Sequence, residues 1–367
     1  MPLSRVRVKQ LRNLMDAQLT PSPRINIVVG ENGSGKTSLL EAIHFLGSSR
    51  SFRSNKLKPI IQKGCEEFIV FGEVSDEKVT HKVGVRRSVD GSGELRIDGV
   101  TQRAASALAE LLPIQLITPD SFSLLTGGAK PRRQFIDWGV FHVERSFLGC
   151  WRQYQTALKQ RNHLLRHGKI DHSQVLVWDT ELARNADTID EMRQQYFSGL
   201  APLVRRLVEV FDLGLKGAEL SLSYSRGWDS KVDFSELLAQ TIDRDVRAGF
   251  TQAGPHRADL NVRIGRENAA ERLSRGQQKL LVCALKLAQA RLFTQKRGQY
   301  TVFLVDDLAA ELDREHRKVL CQELVLLESQ VFVTGIEYES LVGVWPANVE
   351  IKVFHVKHGN ISESILP

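Results

Sequence analysis

The sequence predicts an α/β fold that is built from both ends of the chain, with a mostly helical insertion between them. A glycine-rich loop joins a buried strand to a helix near the start, and strands alternate with helices again after about residue 258. Between them, residues 132–211 have helical periodicity, few glycines and no alternating strand. A chain of 367 residues exceeds one compact core. We therefore predict a head from residues 1–125 and 251–367, and a helical arm over residues 126–250.

Composition narrows the class of protein. With 42% hydrophobic and 25% charged residues, the chain is typical of a soluble globular protein. The net charge of +7 weakly favours a polyanionic partner. Its four cysteines lie far apart without a CxxC pair, a spacing that fits neither a zinc site nor a disulfide framework. Free cysteines of this kind suit a reducing cytosol. We find neither a signal peptide nor an apolar run of about 18 residues, so we expect a cytoplasmic protein without a membrane partner.

The predicted elements follow in chain order. Residues 4–29 alternate as strands do and end in an apolar run typical of a buried central strand, and a helix begins at Lys36. Residues 68–74, 79–87 and 94–97 read as strands, the last two joined by a glycine-containing hairpin. After the helical insertion, we expect a strand near 258–264 and a long helix from about Ser274. A strand at 300–305, a helix over 313–327 and a strand at 330–334 complete this series.

The glycine-rich loop matches the P-loop pattern G-x-x-x-x-G-K-[ST] in full. Its glycines let backbone N–H groups turn around a phosphate, and the helix N-terminus adds positive charge. We expect Lys36 to reach the β- and γ-phosphates of ATP and the Thr37 hydroxyl to ligate Mg²⁺. A ligand-free turn is the alternative, which the strand before the loop and the helix after it disfavour. The residues are Gly30, Glu31, Asn32, Gly33, Ser34, Gly35, Lys36 and Thr37.

The apolar strand at 302–305 ends in two carboxylates, which is typical of a Walker B motif. Asp306 is placed to hold Mg²⁺ or its water, and Asp307 to polarise the attacking water as a general base. Two adjacent carboxylates repel each other, which costs free energy unless a cation lies near them. The pair itself therefore favours a bound metal ion. An acidic turn without a ligand is the alternative for this segment alone.

A third motif opens the long helix. Ser274 is a good N-cap, and Gly276 keeps the helix start open to an anion. We place Ser274, Gly276 and Gln277 among the nucleotide-binding residues, because the segment precedes the Walker B strand as an L-S-G-G-Q-type signature does. A capped helix without a ligand is the alternative for the isolated hexapeptide.

The chain resembles an ABC-type ATPase head. The resemblance rests on the P-loop, the signature and Walker B, followed by residues 311–313 as a D-loop. Five phrases extend the resemblance to the RecF family: LRN at 11–13, PRRQFIDW at 131–138, KQRN at 159–162, GPHRADL at 254–260 and LSRGQQK at 273–279. This resemblance implies a head like that of SMC proteins with a short helical arm. It also implies ATP-dependent dimerisation, binding to gapped DNA, and cooperation with RecR and RecO in loading RecA.

The chain departs from transporter-type ABC proteins at the nucleotide site. Thr334 stands where those proteins place a histidine, and Asp307 stands where they place a longer glutamate. A shorter base and an uncharged switch residue predict slow hydrolysis. The lid glutamine that contacts magnesium is either Gln115 or replaced by Thr118, and the sequence leaves both open.

Two basic runs are candidates for DNA contact. Residues 151–169 contain five basic residues and no acidic one, and we select Arg152, Lys159 and Arg161; the run also contains Arg166 and Lys169. Residues 50–58 carry Arg50, Arg53, Lys56 and Lys58. Basic residues bind phosphates without reading sequence, whereas a solvated surface is the alternative for either run. His256 has no catalytic partner in the sequence, so we expect it to be structural or near the nucleotide.

Two other functional classes remain for comparison. A transporter-coupling ATPase is disfavoured by Thr334, by the basic insertion and by the long interval between Thr37 and Leu273. A non-hydrolysing structural clamp is disfavoured by the carboxylate pair at 306–307. The leading interpretation is a DNA-binding repair ATPase whose ATP state controls assembly.

Overall fold

The computed structural model describes residues 2–75, 79–166, 172–215 and 217–364. The chain divides into two compact units, Met1–Ser121 with Lys279–Pro367, and Phe122–Gln278. We call the first the head and the second the inserted unit. No helix in the described ranges combines the length and the apolar composition that crossing a bilayer requires.

The first half of the chain contains both strands and helices. In order they are β1 (Leu3–Leu11), β2 (Leu14–Leu19), β3 (Ile25–Val29), α1 (Lys36–Ser48), β4 (Glu67–Ser75), β5 (Thr80–Ser88), β6 (Gly93–Ile97), β7 (Val100–Thr101), α2 (Ser106–Leu111), β8 (Ile114–Ile117), α3 (Ser123–Thr126), α4 (Ala129–Val143), α5 (Phe147–Arg166) and α6 (His172–Val210).

The second half of the chain also contains both strands and helices. In order they are β9 (Leu220–Ser225), α7 (Phe234–Gln240), α8 (Ile242–Ala248), β10 (Asp259–Ile264), β11 (Glu267–Asn268), α9 (Ala269–Arg272), α10 (Arg275–Arg297), β12 (Val302–Val305), α11 (Leu308–Glu311), α12 (Arg314–Leu326), β13 (Gln330–Gly335), α13 (Glu339–Val342), β14 (Ile351–Lys357) and β15 (Asn360–Ser364).

The head contains a six-stranded sheet in the order β15-β14-β3-β13-β12-β8. All neighbours are parallel except β14 and β15. Every residue of β3, β12 and β13 is buried, which explains their nearly continuous apolar sequences. Because the carboxyl ends of parallel strands share one edge, the loops that follow β3 and β12 meet there.

A second sheet of the head is antiparallel, in the order β2-β1-β4-β5-β6-β7. Its inward residues, among them Val8 and Val70, share one core with Leu40 of α1 and with Val28 and Phe332 of the parallel sheet. Burial of apolar surface on both sides therefore fixes α1, the helix that follows the glycine-rich loop.

The inserted unit combines helices with a small sheet. Helix α5 packs along the 39-residue helix α6, and the antiparallel sheet has the order β11-β10-β9. The predicted strand near 258–264 is present as β10, but it pairs with β9 inside this unit.

The structure therefore corrects the second predicted boundary. Residues 251–278 belong to the inserted unit rather than to the head. They are held there by the β9–β10 pairing and by Arg132, whose guanidinium binds both carboxylate oxygens of Asp259 at 2.7 and 2.8 Å. The prediction failed because β9 is a short, half-polar strand that the helical stretch before it concealed.

Candidate functional site

The loop after β3 has a backbone that requires glycine at two points. Gly30 has a φ of 156°, and a Cβ there would lie 2.3 Å from the carbonyl oxygen of Val356. Gly35 has a φ of 124°, and a Cβ there would lie 3.0 Å from Nδ2 of Asn13. The close approach of Val356 and Asn13 thus restricts both positions to glycine, as the turn of a P-loop requires.

Two residues outside the motif clasp this loop. Asn13 donates from Nδ2 to the carbonyl oxygens of Gly33 and Ser34, at 3.1 and 2.8 Å, and accepts from the Ser38 hydroxyl at 3.0 Å. Gly359, in the β14–β15 turn, donates its N–H to the Ser34 carbonyl at 2.9 Å. We assigned neither residue a role from sequence. A glycine after His358 between two strand-like runs was the available signal for the turn.

Lys36 lies folded over the loop. Its Nζ donates to the carbonyl oxygens of Gly30 at 2.6 Å and Glu31 at 2.9 Å, and the residue is 8% exposed. Burial lowers the pKa of Lys36, and the nearby carboxylates of Asp307 and Asp306 oppose that shift. The ammonium group is thus held by backbone carbonyl groups of its own loop.

The Walker B carboxylates lie at the same edge. The Thr37 hydroxyl donates to Oδ1 of Asp306 at 3.1 Å, and the Thr334 hydroxyl donates to the same oxygen at 2.7 Å. Thr334 also accepts the Asp307 N–H at 2.8 Å, so it bridges the two aspartates. Burial raises the pKa of Asp306, the hydrogen bonds from Thr334 and Thr37 oppose that shift, and the charge of Asp307 adds to it.

Thr118, rather than Gln115, lies at this edge. Ile117 accepts the Asp306 N–H at 2.9 Å, so Thr118 follows β8 directly beside the Walker B residue. Gln115 lies deeper in the sheet, opposite Phe303, and its Nε2 donates to Oε1 of Gln289 at 3.1 Å. Of the two alternatives for the lid position, the geometry favours Thr118.

The residues present fit magnesium and a nucleotide phosphate. The Thr37 hydroxyl and the Asp306 carboxylate are oxygen ligands of the kind that Mg²⁺ takes alongside phosphate oxygens and waters. The Ser34 hydroxyl is buried inside the loop and has no hydrogen-bond partner among the described residues. Glu31, Asn32 and Gly33 are exposed at the loop's outer rim, where a nucleotide has access.

The signature segment belongs to the inserted unit. Ser274 donates its N–H to Oε1 of Gln277 at 2.9 Å and accepts the Gln277 N–H on its own hydroxyl at 3.3 Å, which is a capping box. Gln277 also donates from Nε2 to the carbonyl oxygen of Leu213 at 2.7 Å, so its amide is engaged within the chain. Ser274 and Gly276 are exposed.

The structure overturns the assignment of Arg161 to DNA. Its side chain is 0% exposed; Nε binds Asp179 at 2.5 Å, and Nη1 binds Asp245 at 2.7 Å and the Thr251 hydroxyl at 2.8 Å. Positions 154, 158, 161 and 165 form the buried face of α5, so Arg161 occupies the helix's inward stripe. It is a structural residue of the inserted unit.

The other described basic residues proposed to contact DNA are exposed. Arg152, Lys159 and Arg166 are exposed on α5, whereas Lys169 lies outside the described residues. The second run is exposed at all four basic positions, Arg50, Arg53, Lys56 and Lys58.

His256 is structural. Its Nδ1 lies 2.6 Å from the hydroxyl of Tyr154, which is fully buried, and its Nε2 lies 3.1 Å from the Thr251 carbonyl. Burial lowers the pKa of His256 to about 4, so the ring is neutral at physiological pH.

Comparison with known proteins identifies the family of the chain. The family model described as the RecF/RecN/SMC N terminal domain matches residues 2–362. A curated protein of Pseudomonas syringae pathovar tomato, named DNA replication and repair protein RecF, is 50% identical over 365 residues, which are 99% of each chain. The chain belongs to the RecF family. A protein of the same name from Pseudomonas fluorescens is 50% identical over 366 residues, 99% of each chain.

Solved structures show the same fold. A structure described as the recombination mediator protein RecF-ATP in the RecFOR pathway superposes with a TM-score of 0.86 at 23% identity, covering 99% of this chain and 98% of that one. An Smc head bound to the C-winged helix domain of ScpA gives 0.59 at 14% identity, covering 99% and 97%. These likenesses confirm the predicted α/β, ABC-type head with an inserted arm, and the family match confirms the resemblance to RecF.

Proposed function

We propose that the chain is an ATP-controlled, DNA-binding repair protein of the RecF type. Binding of ATP pairs two copies on gapped DNA or on a single-stranded–double-stranded junction, where they promote RecA loading together with RecO and RecR. The protein thereby supports replication and SOS induction, acts in the cytoplasm, and hydrolyses ATP slowly in a DNA-dependent manner. The observation that carries the proposal is the Thr37–Asp306 contact of 3.1 Å beside the Lys36 loop, in a chain of this family.

The residues of the head divide the work at the nucleotide. Thr37 and Asp306 would hold Mg²⁺, which when bound neutralises charge on the β- and γ-phosphate oxygens. Lys36 exchanges the Gly30 and Glu31 carbonyls for those oxygens. Asp307 accepts a proton from the attacking water. Because burial opposes the charged forms of both Lys36 and Asp306, ligand charge stabilises both groups.

Slow hydrolysis follows from how the base is held. Asp307 has a φ of 53°, in the left-handed region, and its N–H is fixed on the Thr334 hydroxyl. Its carboxylate is one methylene shorter than a glutamate, and Thr334 brings no charge to the switch position. Such a site suits an ATP-state switch better than rapid turnover.

The site is completed by a second chain. Ser274 and Gly276 are exposed, whereas the Ser274 N–H and the Gln277 amide are engaged within the chain. The Ser274 hydroxyl and the Gly276 N–H are therefore the donors that would meet a partner's γ-phosphate. A two-fold, head-to-tail pair would place each signature on the other chain's nucleotide. ADP lacks the phosphate that these donors need, so hydrolysis releases the pair.

DNA contact is sequence-independent and uses exposed cations. Arg152 and Lys159 remain candidates on α5, with the exposed run at 50–58 as a second surface. Phosphate contacts of this kind release counterions, so affinity falls with salt.

The test is sedimentation of the protein with ATP and Mg²⁺, with ADP, and with each nucleotide plus junction DNA. We expect a monomer with ADP, a dimer with ATP, and a dimer bound to the junction when both ligands are present. A monomer that hydrolyses ATP normally and ignores the junction would contradict the proposal.

A further inference from the structure

An exposed phenylalanine in the inserted unit lies among arginines. Phe250, 38% exposed, follows Gly249, which ends α8. The guanidinium carbon of Arg257 lies 5.4 Å from the centroid of the Phe250 ring. Arg166, at the end of α5, donates from Nε to the carbonyl oxygen of Gly249 at 3.1 Å. One arginine therefore contacts the ring, and a second binds the backbone just before it.

A third arginine binds the backbone beside Arg257. Arg133 of α4 donates from Nη1 to the carbonyl oxygen of Ala258, the residue after Arg257, at 2.9 Å. Arg166 and Arg257 are exposed and Arg133 is half-buried. We call Arg133, Arg166, Phe250 and Arg257 the Phe250 patch. Its members come from three separate segments, so their proximity is invisible in the sequence.

The charge of the patch is not neutralised by nearby carboxylates. Asp137 and Asp259 act on Arg133 electrostatically, but each is already held through both oxygens by another arginine. Across the part of the chain that the structure describes, none of the three patch arginines forms an ion pair with a carboxylate. Uncompensated guanidinium groups of this kind favour a ligand with phosphate.

We propose that the Phe250 patch binds single-stranded nucleic acid, with one unpaired base stacked on Phe250 and its flanking phosphates held by the arginines. The inference rests on the proposed function, in which the chain binds DNA, and adds a surface and a binding mode. An exposed ring beside cations is the arrangement that sequence-tolerant single-strand binding uses, because every base has a face to stack. Duplex DNA keeps its bases inside and leaves the ring without a role.

The first experiment compares Phe250→Leu with the wild-type protein on labelled oligo-dT and on a blunt duplex, with ATP and Mg²⁺ present. The leucine keeps apolar volume but removes the ring. We expect about a fivefold or greater loss of affinity for oligo-dT, since one stacked base contributes that much, and an unchanged affinity for the duplex. Thermal unfolding of the variant checks that it folds.

The second experiment tests the arginines. Arg133→Gln with Arg257→Gln should flatten the slope of log affinity against log salt on oligo-dT by about 1.4, at about 0.7 for each phosphate contact. The control is Arg205→Gln with Arg206→Gln, two exposed arginines of α6. Equal flattening by the control pair would overturn the assignment of these arginines.

A third measurement needs no variant. Oligo-dT carrying 5-iodouracil is irradiated with the wild-type protein, and the cross-linked peptide is expected to contain Phe250. If the wild type binds oligo-dT but cross-links elsewhere and Phe250→Leu binds equally well, the patch is wrong while the proposed function stands. If the wild type binds neither oligo-dT, duplex nor junction with ATP, the proposed function fails and the patch fails with it. Equal losses on oligo-dT and duplex would overturn stacking.

Discussion

Replacing Arg161 with alanine should destabilise the inserted unit and leave DNA binding intact. The guanidinium is 0% exposed and serves Asp179 and Asp245 together. Removing it leaves the buried Asp245 carboxylate and the mostly buried Asp179 carboxylate without their partner. Breaking a buried ion pair from one side costs about 3–5 kcal/mol, because the remaining charge keeps its desolvation cost and loses its partner.

That magnitude converts into a measurable shift. For a unit of this size, 1 kcal/mol moves the unfolding midpoint by about 2–4 °C, so Arg161→Ala should unfold on the order of 10 °C lower. Arg161→Lys keeps the charge but not the fork of donors and should lie between the two. Arg152→Ala, at an exposed position of the same helix, should stay within about 0.5 kcal/mol of the wild type.

The pH dependence gives an independent readout. Burial raises the pKa of Asp179, and Arg161 opposes that shift. Without the arginine the pKa rises further, so the folded state increasingly favours the protonated carboxyl. The deficit of Arg161→Ala in the free energy of unfolding should therefore be smaller at about pH 5 than at about pH 8.

The assay is urea unfolding followed by circular dichroism at both pH values, with DNA affinity measured against salt at low temperature. A variant as stable as the wild type, with a flatter salt slope, would show that Arg161 contacts DNA and that the burial argument is wrong.

Three further predictions concern the head. Lys36→Ala should lose ATP affinity in calorimetric titration while keeping the wild-type circular dichroism spectrum; equal ATP affinity would remove the P-loop assignment. Asp307→Asn should bind ATP and Mg²⁺ yet lose hydrolysis by about 10²-fold or more, and the ATP-bound dimer should accumulate; loss of nucleotide binding instead would make Asp307 the metal ligand. Asn13→Ala removes three hydrogen bonds around the loop, at about 1 kcal/mol each, and should weaken ATP binding by tenfold or more, whereas Met15→Ala, at a position 60% exposed in the same hairpin, should not; equal effects of the two would refute the clasp.

The sequence predicted the strand, the glycine turn and the helix of the P-loop motif well, because these features are local. Strand, glycines, lysine and helix follow one another between residues 25 and 48, and the apolar run before Asp306 predicts a buried strand by itself. The residue at the lid position could not be chosen from local sequence patterns. Only the register of β8 against β12 places Thr118, and not Gln115, beside Asp306.

Long-range pairing explains the failures. The partners of Arg161 lie 18 and 84 residues away, so its charge resembled that of Arg152 in the sequence. Its spacing from Tyr154, Leu158 and Leu165 nevertheless places it on the buried stripe of a helix, and that signal was available. The turn at Gly359 acts on the P-loop from more than 300 residues along the chain, which local patterns do not reveal.

The central claim, a nucleotide site shared by two chains, is tested most directly by mixing two inactive variants. Lys36→Ala lacks a working P-loop, and Ser274→Arg blocks the signature while leaving its own P-loop intact. A mixed pair brings one intact Lys36 and one intact Ser274 to the same nucleotide. With ATP and Mg²⁺, we expect each variant alone to stay monomeric by light scattering and to hydrolyse no ATP. Their mixture should recover part of both dimerisation and hydrolysis. Normal hydrolysis by monomeric Ser274→Arg would contradict the account.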